Sequence, residues 1–161
     1  MQHIDLICIG KLNAAYFAQG TAEYAKRLSG YCDFKIIELA EEMIHEKNAS
    51  DAAIQKALEK EADKIFANVR KGATIVAMCI EGKQLSSEEL AQKIADAAQR
   101  GAGDMAFVIG SSHGLSPRVK QAASIKLSMS KMTFPHQLAR LMLTEQLYRA
   151  FSINNNAKYH K

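Results

Sequence analysis

The chain alternates short, strongly apolar runs with longer segments whose apolar residues recur every three or four positions. The runs IDLICIG, TIVAMCI and MAFVIG, which begin at residues 4, 74 and 105, are typical of strands buried on both faces. FKIIEL (34–39) and residues 124–129 complete five predicted strands. Because a helical segment separates each strand from the next, the pattern predicts an α/β fold with a largely parallel sheet flanked by helices.

The predicted helices carry recognisable end signals. Residues 14–29 have one apolar face, and Ser50 and Gly72 mark the two ends of the next helix. Ser86 and Glu89 have the spacing of a capping box, in which each side chain bonds the other residue's backbone N–H. Further helices are predicted over 117–123 and 136–151, with Pro117 and Pro135 each at the first helical position.

The length of 161 residues and the mass of 17.7 kDa fit one domain, predicted to span residues 1–161. No apolar run approaches the roughly 20 residues that a membrane-spanning helix needs. The start, MQHIDLICIG, lacks the basic region and cleavage site of a signal peptide, so a cytoplasmic protein with no membrane partner is expected.

Cysteines and histidines are scattered along the chain. Cys8, Cys32 and Cys79 form no C-x-x-C pair, and the two that lie in apolar runs, Cys8 and Cys79, are expected to be buried, reduced thiols. The five histidines have no metal-ligand spacing, so no metal site is predicted. They are His3, His45, His113, His136 and His160.

Positive charge is concentrated near the C-terminus. Residues 114–161 carry eight Lys or Arg and one acidic residue, Glu145, which gives +7, whereas residues 1–113 carry −3 of the total +4. A solvated basic face is the common explanation of such clustering. Its coincidence with the unusual C-terminal motifs favours an anionic partner such as nucleic acid.

Three loops follow predicted strands and are candidates for a ligand site: residues 80–85, 110–116 and 129–135. In parallel sheets, ligands bind beyond the carboxyl ends of the strands. The small residues of IGSSHGLSP would let backbone groups approach a ligand, but an ordinary strand-to-helix turn capped by Ser116 explains them as well. GAGDMA (101–106) matches a dinucleotide-binding pattern only formally, because it precedes a strand and is predicted to be a turn.

The last helix has two apolar faces, where a helix at the surface of a small domain usually has one. The helix is therefore predicted to pack against its own sheet and against a second copy in a homodimer. His136, Arg140 and Thr144 stand one turn apart beside the loop 129–135, and Glu145 and Arg149 have ion-pair spacing. The two faces consist of Leu138, Leu141, Met142 and Tyr148, and of Ala139, Leu143, Leu147, Ala150 and Phe151.

FVIGSSHGLS, LSMSKMTFPHQLARLMLTEQLYRAFSI and AKYHK, with EYAKRL (23–28) and IEGK (80–83), resemble the SPOUT-class methyltransferases, and the likeness covers the whole chain. The resemblance implies a deep C-terminal trefoil knot, with residues 105–161 forming the cofactor site, the knot and the dimer interface. It also implies transfer of a methyl group from S-adenosylmethionine to N3 of a pseudouridine in 23S ribosomal RNA, on the large subunit or the assembled 70S ribosome.

The resemblance assigns cofactor contacts to two isolated residues and one loop. The family commonly has a second glycine where this chain has Ser111, which alters the cofactor turn without removing a reacting group. The assigned contacts are Met78, Gly110, Met129, Ser130, Lys131, Met132, Thr133 and Phe134.

The implied chemistry requires the imide nitrogen of the base to lose its proton before it attacks the methyl group. Arg149 or Arg140 would favour the anionic base, because a nearby cation stabilises negative charge. His136 or His160 would accept the proton, because histidine titrates near neutral pH.

The C-terminal tail NNNAKYHK (154–161) has two possible roles. Polar tails are commonly frayed. The resemblance instead implies that Tyr159, His160 and Lys161 reach into the partner's site. Two other functions remain open: a non-catalytic RNA-binding dimer associated with the ribosome, and a flavodoxin-like module, which the absence of a phosphate-binding loop disfavours.

Overall fold

The computed structural model describes residues 1–44, 47, 49–101 and 103–161. Within these residues, five strands alternate with five helices. The strands are β1 (His3–Ile9), β2 (Asp33–Leu39), β3 (Thr74–Gln84), β4 (Met105–Ile109) and β5 (Ile125–Ser128). The helices are α1 (Ala15–Leu28), α2 (Asp51–Ala67), α3 (Ser87–Gln99), α4 (Pro117–Ala122) and α5 (His136–Asn154).

The strands form one sheet in the order β2-β1-β4-β3-β5, and every adjacent pair is parallel. The predicted α/β fold with a parallel sheet is therefore confirmed. Parallel strands end at the same edge of a sheet, and β4, β3 and β5 are neighbours. The loops that leave these three strands therefore start side by side.

Helices cover both faces of the sheet, as continuous apolar strands require. Alternate residues of β1 point to opposite faces: Ile4, Leu6 and Cys8 join one core cluster, and Ile7 and Ile9 join the other. Residues of α1, α3 and α5 complete the first cluster, and residues of α2 and α4 complete the second. Of the two predicted apolar faces of α5, the one that faces the core contains Leu143, Leu147, Ala150 and Phe151, which all lie in the first cluster.

The predicted helix caps are present. The Ser50 hydroxyl accepts a hydrogen bond from the Ala53 N–H at 3.2 Å, and Ser86 and Glu89 form both bonds of the capping box. Ser116 caps α4, with Pro117 at its first position, so the ordinary turn geometry considered for this loop is also present.

Two helix boundaries differ from the prediction. Helix α2 ends at Ala67, before Gly72, because the Asn68 side chain donates to the Lys64 carbonyl at 2.8 Å and closes the last turn. Pro135 lies just outside α5 and not at its first helical position, since its backbone is extended while its carbonyl accepts from the Ala139 N–H at 2.9 Å.

Strand β3 is longer than predicted and includes most of the expected loop 80–85. It pairs with β5 twice: Leu127 lies opposite Met78 and again opposite Lys83, so residues 79–82 bulge from the ladder. At Gly82 the chain returns to β5, with which it pairs again from Lys83. A Cβ on Gly82 would lie 2.7 Å from the Lys126 carbonyl carbon. A glycine is needed here because the two backbones nearly touch.

Cys8 is a buried free thiol, as expected, whereas Cys79 is only half-buried because it lies where β3 bulges away from β5. Cys32 is also a buried free thiol. Burial raises the pKa of Cys8 to about 12, so this thiol stays protonated. His45 and residue 102 of the GAGDMA segment lie outside the described residues, and β4 begins directly after that segment. Among the residues described, no cluster of His, Cys, Asp or Glu could hold a metal, and no helix could cross a bilayer.

Replacing Gly82 with alanine is expected to lower the free energy of unfolding by about 1–3 kcal/mol, because the new methyl group would push β5 away from β3. Urea unfolding followed by circular dichroism measures the change. Gly30→Ala is the control, since a Cβ there meets its nearest atom, the Arg27 carbonyl oxygen, at an ordinary 3.6 Å. Equal stability of the two variants would contradict the close approach of β3 and β5.

Candidate functional site

A cavity of about 720 Å³ opens at the carboxyl ends of β3, β4 and β5. The three candidate loops meet there, as the strand order requires. Its walls are mostly apolar. They consist of residues 78–81 after the regular part of β3, 109–115 with Lys120 after β4, and 127–130, 132–136 and Ala139 around β5 and the start of α5.

Seven of the eight residues that the resemblance assigns to the cofactor line this cavity, and Lys131 does not. Lys131 is exposed, at the tip of the loop before α5. The seven are Met78, Gly110, Met129, Ser130, Met132, Thr133 and Phe134.

The turn that follows β4 is tight and needs glycine at two positions. A Cβ on Gly110 would collide with the Gly114 carbonyl, and Gly114 itself has φ +84°. Ser111 and Gly114 pair across the turn, with the Gly114 N–H donating to the Ser111 carbonyl at 2.9 Å. Residues 110–115 of this turn form part of the cavity wall.

The loop between β5 and α5 is organised by two serines. The Ser128 hydroxyl donates to the Ser130 carbonyl at 2.9 Å, and the Ser130 hydroxyl accepts from the Met132 N–H at 3.0 Å. These local bonds let the loop curve over the cavity. Met132 is 74% exposed although it lines the cavity, so its thioether offers apolar surface at the entrance.

Sequence reasoning missed a charged pair at the cavity rim. Lys120 of α4 and Glu81 of the β3 bulge are joined by an ion pair of 2.5 Å, and the bond from Lys120 lowers the pKa of Glu81. Cys79 lies beside them on the cavity wall, and burial raises its pKa. These residues come together only through the bulge and the pairing of β3 with β5. No local sequence pattern predicts such pairing.

Of the five residues predicted to act on the substrate, His136 is the one that lines the cavity. It occupies the first position of α5, directly after Pro135. Within the described part of the chain, no residue forms a hydrogen bond with its ring, so both ring nitrogens are available to a ligand.

Arg140 lies one turn further along α5 but points into the protein, where the residue is 1% exposed. Its guanidinium donates to the Glu38 carboxylate at 2.5 Å and to the Gly10 carbonyl at 3.0 Å. Thr144, the third member of the predicted polar stripe, is also buried and donates to the Arg140 carbonyl at 2.7 Å. The predicted polar stripe is therefore not continuous: His136 lies at the cavity, and Arg140 and Thr144 lie in the interior.

Arg149, Tyr159 and His160 form a second group, away from the cavity of their own chain. The Arg149 guanidinium lies 4.7 Å from the centre of the Tyr159 ring, and one of its nitrogens lies 3.1 Å from His160 Nδ1. Glu145 of α5 and Glu88 of α3 hold the group. The predicted pair of Glu145 and Arg149 is present, but it is largely buried and not a surface pair. We call these five residues the tail cluster.

A buried carboxylate lies behind the turn after β4. Glu61 of α2 is 3% exposed, and one oxygen accepts from the Glu42 N–H at 3.0 Å. The other oxygen makes no well-formed hydrogen bond within the described residues. Burial raises the pKa of Glu61, and the Ser111 hydroxyl, in the position where the family commonly has glycine, partly opposes that rise.

Comparison with known proteins gives a consistent result. A family model described as "Predicted SPOUT methyltransferase" matches residues 2–160. Proteins named "Ribosomal RNA large subunit methyltransferase H" are similar over nearly their full length. Those of Streptococcus uberis and Bifidobacterium animalis subsp. lactis are each 48% identical, over 98% and 99% of this chain and 99% of each relative. That of Levilactobacillus brevis is 45% identical over 99% of both chains.

Replacing Glu61 with glutamine keeps the shape and the acceptor but removes the buried charge. Because the pKa of Glu61 is raised in the folded protein, ionising it costs more there than in the unfolded chain, and the wild type loses stability as the pH rises above about 4.5. The melting temperature of Glu61→Gln relative to wild type should therefore increase between pH 4.5 and 7.5. Glu59→Gln on the same helix is the control, because it also removes one carboxylate charge but from a half-exposed side chain, whose 3.1 Å pair with Arg118 is screened by solvent. A difference that does not vary with pH would contradict this account.

Proposed function

The chain belongs to the SPOUT methyltransferase family, and from that membership we propose that it transfers the methyl group of S-adenosylmethionine to N3 of a pseudouridine in 23S ribosomal RNA. Family membership implies the C-terminal trefoil knot as well. The names of the relatives support the RNA substrate, on the large subunit or the 70S ribosome, and a ribosomal substrate implies a cytoplasmic location. The observation that carries the proposal is the cavity at the ends of β3, β4 and β5, lined by seven of the eight residues that the resemblance assigns to the cofactor.

The cavity fits such a cofactor in size and character. Its volume of about 720 Å³ lies within the range of about 300–1,000 Å³ that is usual for small-molecule sites. Its walls combine apolar side chains such as Met78, Met129 and Phe134 with the tight backbone turn that begins at Gly110. This combination suits a flat heterocycle, with apolar contacts on its faces and backbone hydrogen bonds at its edge.

When bound, S-adenosylmethionine supplies a methyl group on a positively charged sulfur, which an ionised nitrogen can attack in line. The chain's own task is then to position the base and to accept its imide proton. We assign the proton acceptor to His136, one of the two histidines that line the cavity, because it occupies the first position of α5 beside the loop that carries most of the assigned cofactor contacts, and no described residue bonds its ring. A histidine with a free nitrogen is suited to general base catalysis near neutral pH.

The two candidate arginines receive different roles. Arg140 is enclosed and already paired with Glu38, so we assign it to holding α5 against the ends of β1 and β2. Arg149 is one-quarter exposed at its side chain, and although Glu145 binds its Nε and Nη2, its Nη1 bonds only a neutral imidazole ring. We assign to Arg149 the contact with the base.

This assignment requires a second copy of the chain, because Arg149 lies outside the cavity of its own chain. The second apolar face of α5 supports a homodimer: Leu138, Leu141 and Met142 remain half-exposed, although they are apolar. Leu141 and Met142 also line a groove of about 310 Å³ between α1 and α5. We propose that a dimer is built on this face and covers the groove, and that in it the tail cluster of one protomer meets the cavity of the other.

We expect titration calorimetry to show one molecule of S-adenosylmethionine bound per chain, and radiolabelled methyl transfer to large subunits or 70S ribosomes. His136→Ala should lower the single-turnover rate about 10²–10⁴-fold, because it removes the proposed proton acceptor. The methylated base is located by mass spectrometry of ribosomal RNA fragments. His113→Ala, which changes another cavity-lining histidine, is the control. Binding to ribosomes without binding of S-adenosylmethionine would instead identify a non-catalytic RNA-binding dimer.

Deleting residues 157–161 should reduce methyl transfer at least about 100-fold while leaving the affinity for S-adenosylmethionine nearly unchanged, because the tail lies outside the cavity. Mixing this variant with His136→Ala distinguishes the two possible arrangements. If the tail acts on the partner, half of the dimers regain one intact site and the mixture recovers about a quarter of wild-type activity. No recovery in a mixture of confirmed heterodimers would contradict action across the dimer.

A further inference from the structure

The tail cluster contains an acidic residue at each end, and each one receives hydrogen bonds from a residue of the C-terminal tail. Glu145 Oε1 accepts from Arg149 Nε at 3.0 Å and from the Tyr159 hydroxyl at 2.9 Å. Glu88 Oε1 lies 2.6 Å from His160 Nε2. The tail is therefore attached to its own chain at two points, one on α5 and one on α3.

The two oxygen neighbours of the Tyr159 hydroxyl determine the direction in which its proton points. The hydroxyl has one proton and two oxygen neighbours, the Glu145 carboxylate at 2.9 Å and the Tyr24 hydroxyl at 3.3 Å. A carboxylate can only accept, so Tyr159 donates to Glu145 and accepts from Tyr24. Burial, together with the bonds from Tyr24 and to Glu145, raises the pKa of Tyr159, and the phenol therefore stays protonated.

The protons on His160 are placed in the same way. Its Nδ1 lies 3.1 Å from Arg149 Nη1, and a guanidinium can only donate. Nδ1 is therefore the unprotonated nitrogen, and Nε2 carries the proton that is donated to Glu88. Both His160 nitrogens are occupied, which leaves neither free to accept a proton from a substrate.

We propose that Glu145 and Glu88 are positioning residues, which hold the tail so that Tyr159 and His160 serve as neutral groups with defined proton positions. Glu145 orients Arg149 and Tyr159 together, because one of its oxygens binds both. Glu88 orients His160 alone. The proposal rests on the proposed function only in that the tail serves methyl transfer. It also separates the role of His160 from that of His136, whose ring no described residue bonds.

The proton positions can be tested without any assay of activity. Nitrogen-15 NMR of histidine-labelled protein distinguishes the two neutral forms of imidazole, and the signal lost in His160→Gln identifies His160. We expect the form protonated at Nε2 in the wild type and a mixture of both forms in Glu88→Gln. Glu88 has a side chain that is 62% exposed, so its replacement should leave the fold intact. A wild-type His160 protonated at Nδ1, or tautomers unchanged in Glu88→Gln, would overturn the proposal.

Catalysis tests the role of Glu145. Glu145→Gln should lower kcat about 10- to 100-fold, because Arg149 and Tyr159 lose their common anchor, while the affinity for S-adenosylmethionine stays unchanged. Combining it with Tyr159→Phe should cost little more than the larger single effect, because both changes disturb one unit. Full additivity, or a normal rate in Glu145→Gln, would overturn the proposal.

Two controls separate positioning from loss of structure and from failure of the proposed function. Glu23→Gln breaks a pair with Arg27 that has the same i,i+4 spacing and the same 3.0 Å distance, and it should leave kcat within about twofold of wild type. Glu145→Asp keeps the charge and should recover part of the lost rate. If the wild type binds no S-adenosylmethionine, the proposed function fails, while the NMR result on His160 still decides the proton positions.

Discussion

The pairing of β3 with both β4 and β5 is the arrangement on which the rest of the structure depends. Because all three strands are parallel, their carboxyl ends meet at one edge, and three loops that are distant in sequence enclose a single cavity. The bulge at residues 79–82 widens that edge, and Gly82 closes it again where the backbones of β3 and β5 nearly touch. The cavity is thus a product of backbone geometry, and its apolar side chains line a space that the strands have already defined.

The same sheet architecture determines the surroundings of two polar residues of α5, Arg140 and His136. Arg140 is buried inside the protein. There the Glu38 carboxylate of β2 neutralises its charge, and the Gly10 carbonyl after β1 accepts a second hydrogen bond that orients the guanidinium. These hydrogen bonds join the helix that begins at the cavity to the carboxyl ends of β1 and β2. His136, four residues earlier, is left with a ring that no described residue bonds. One helix therefore supplies a structural cation and the proposed proton acceptor from positions a single turn apart.

The cavity and the tail cluster are two halves of the proposed site, and each chain carries both halves in different places. Because Arg149 and Tyr159 lie away from the cavity that His136 lines in their own chain, the proposed assignment makes a second copy part of the chemistry. Attachment of the tail by Glu145 and Glu88 then reduces the entropic cost of assembling the proposed site. A tail that is already ordered on its own chain loses less conformational entropy when it meets the partner than a frayed tail would.

The alternation of apolar runs and amphipathic segments determined the strands, the helices and the parallel sheet, because those features depend on residues close together in sequence. The caps at Ser50, Ser86 and Ser116 were predictable for the same reason, and the family resemblance identified the loop 129–135. Only the tertiary structure decided that Arg140 is buried, that Lys120 reaches Glu81, and that Glu145 and Glu88 hold the tail. Such contacts join residues from separate elements, and their formation depends on strand order and register, which local sequence does not encode.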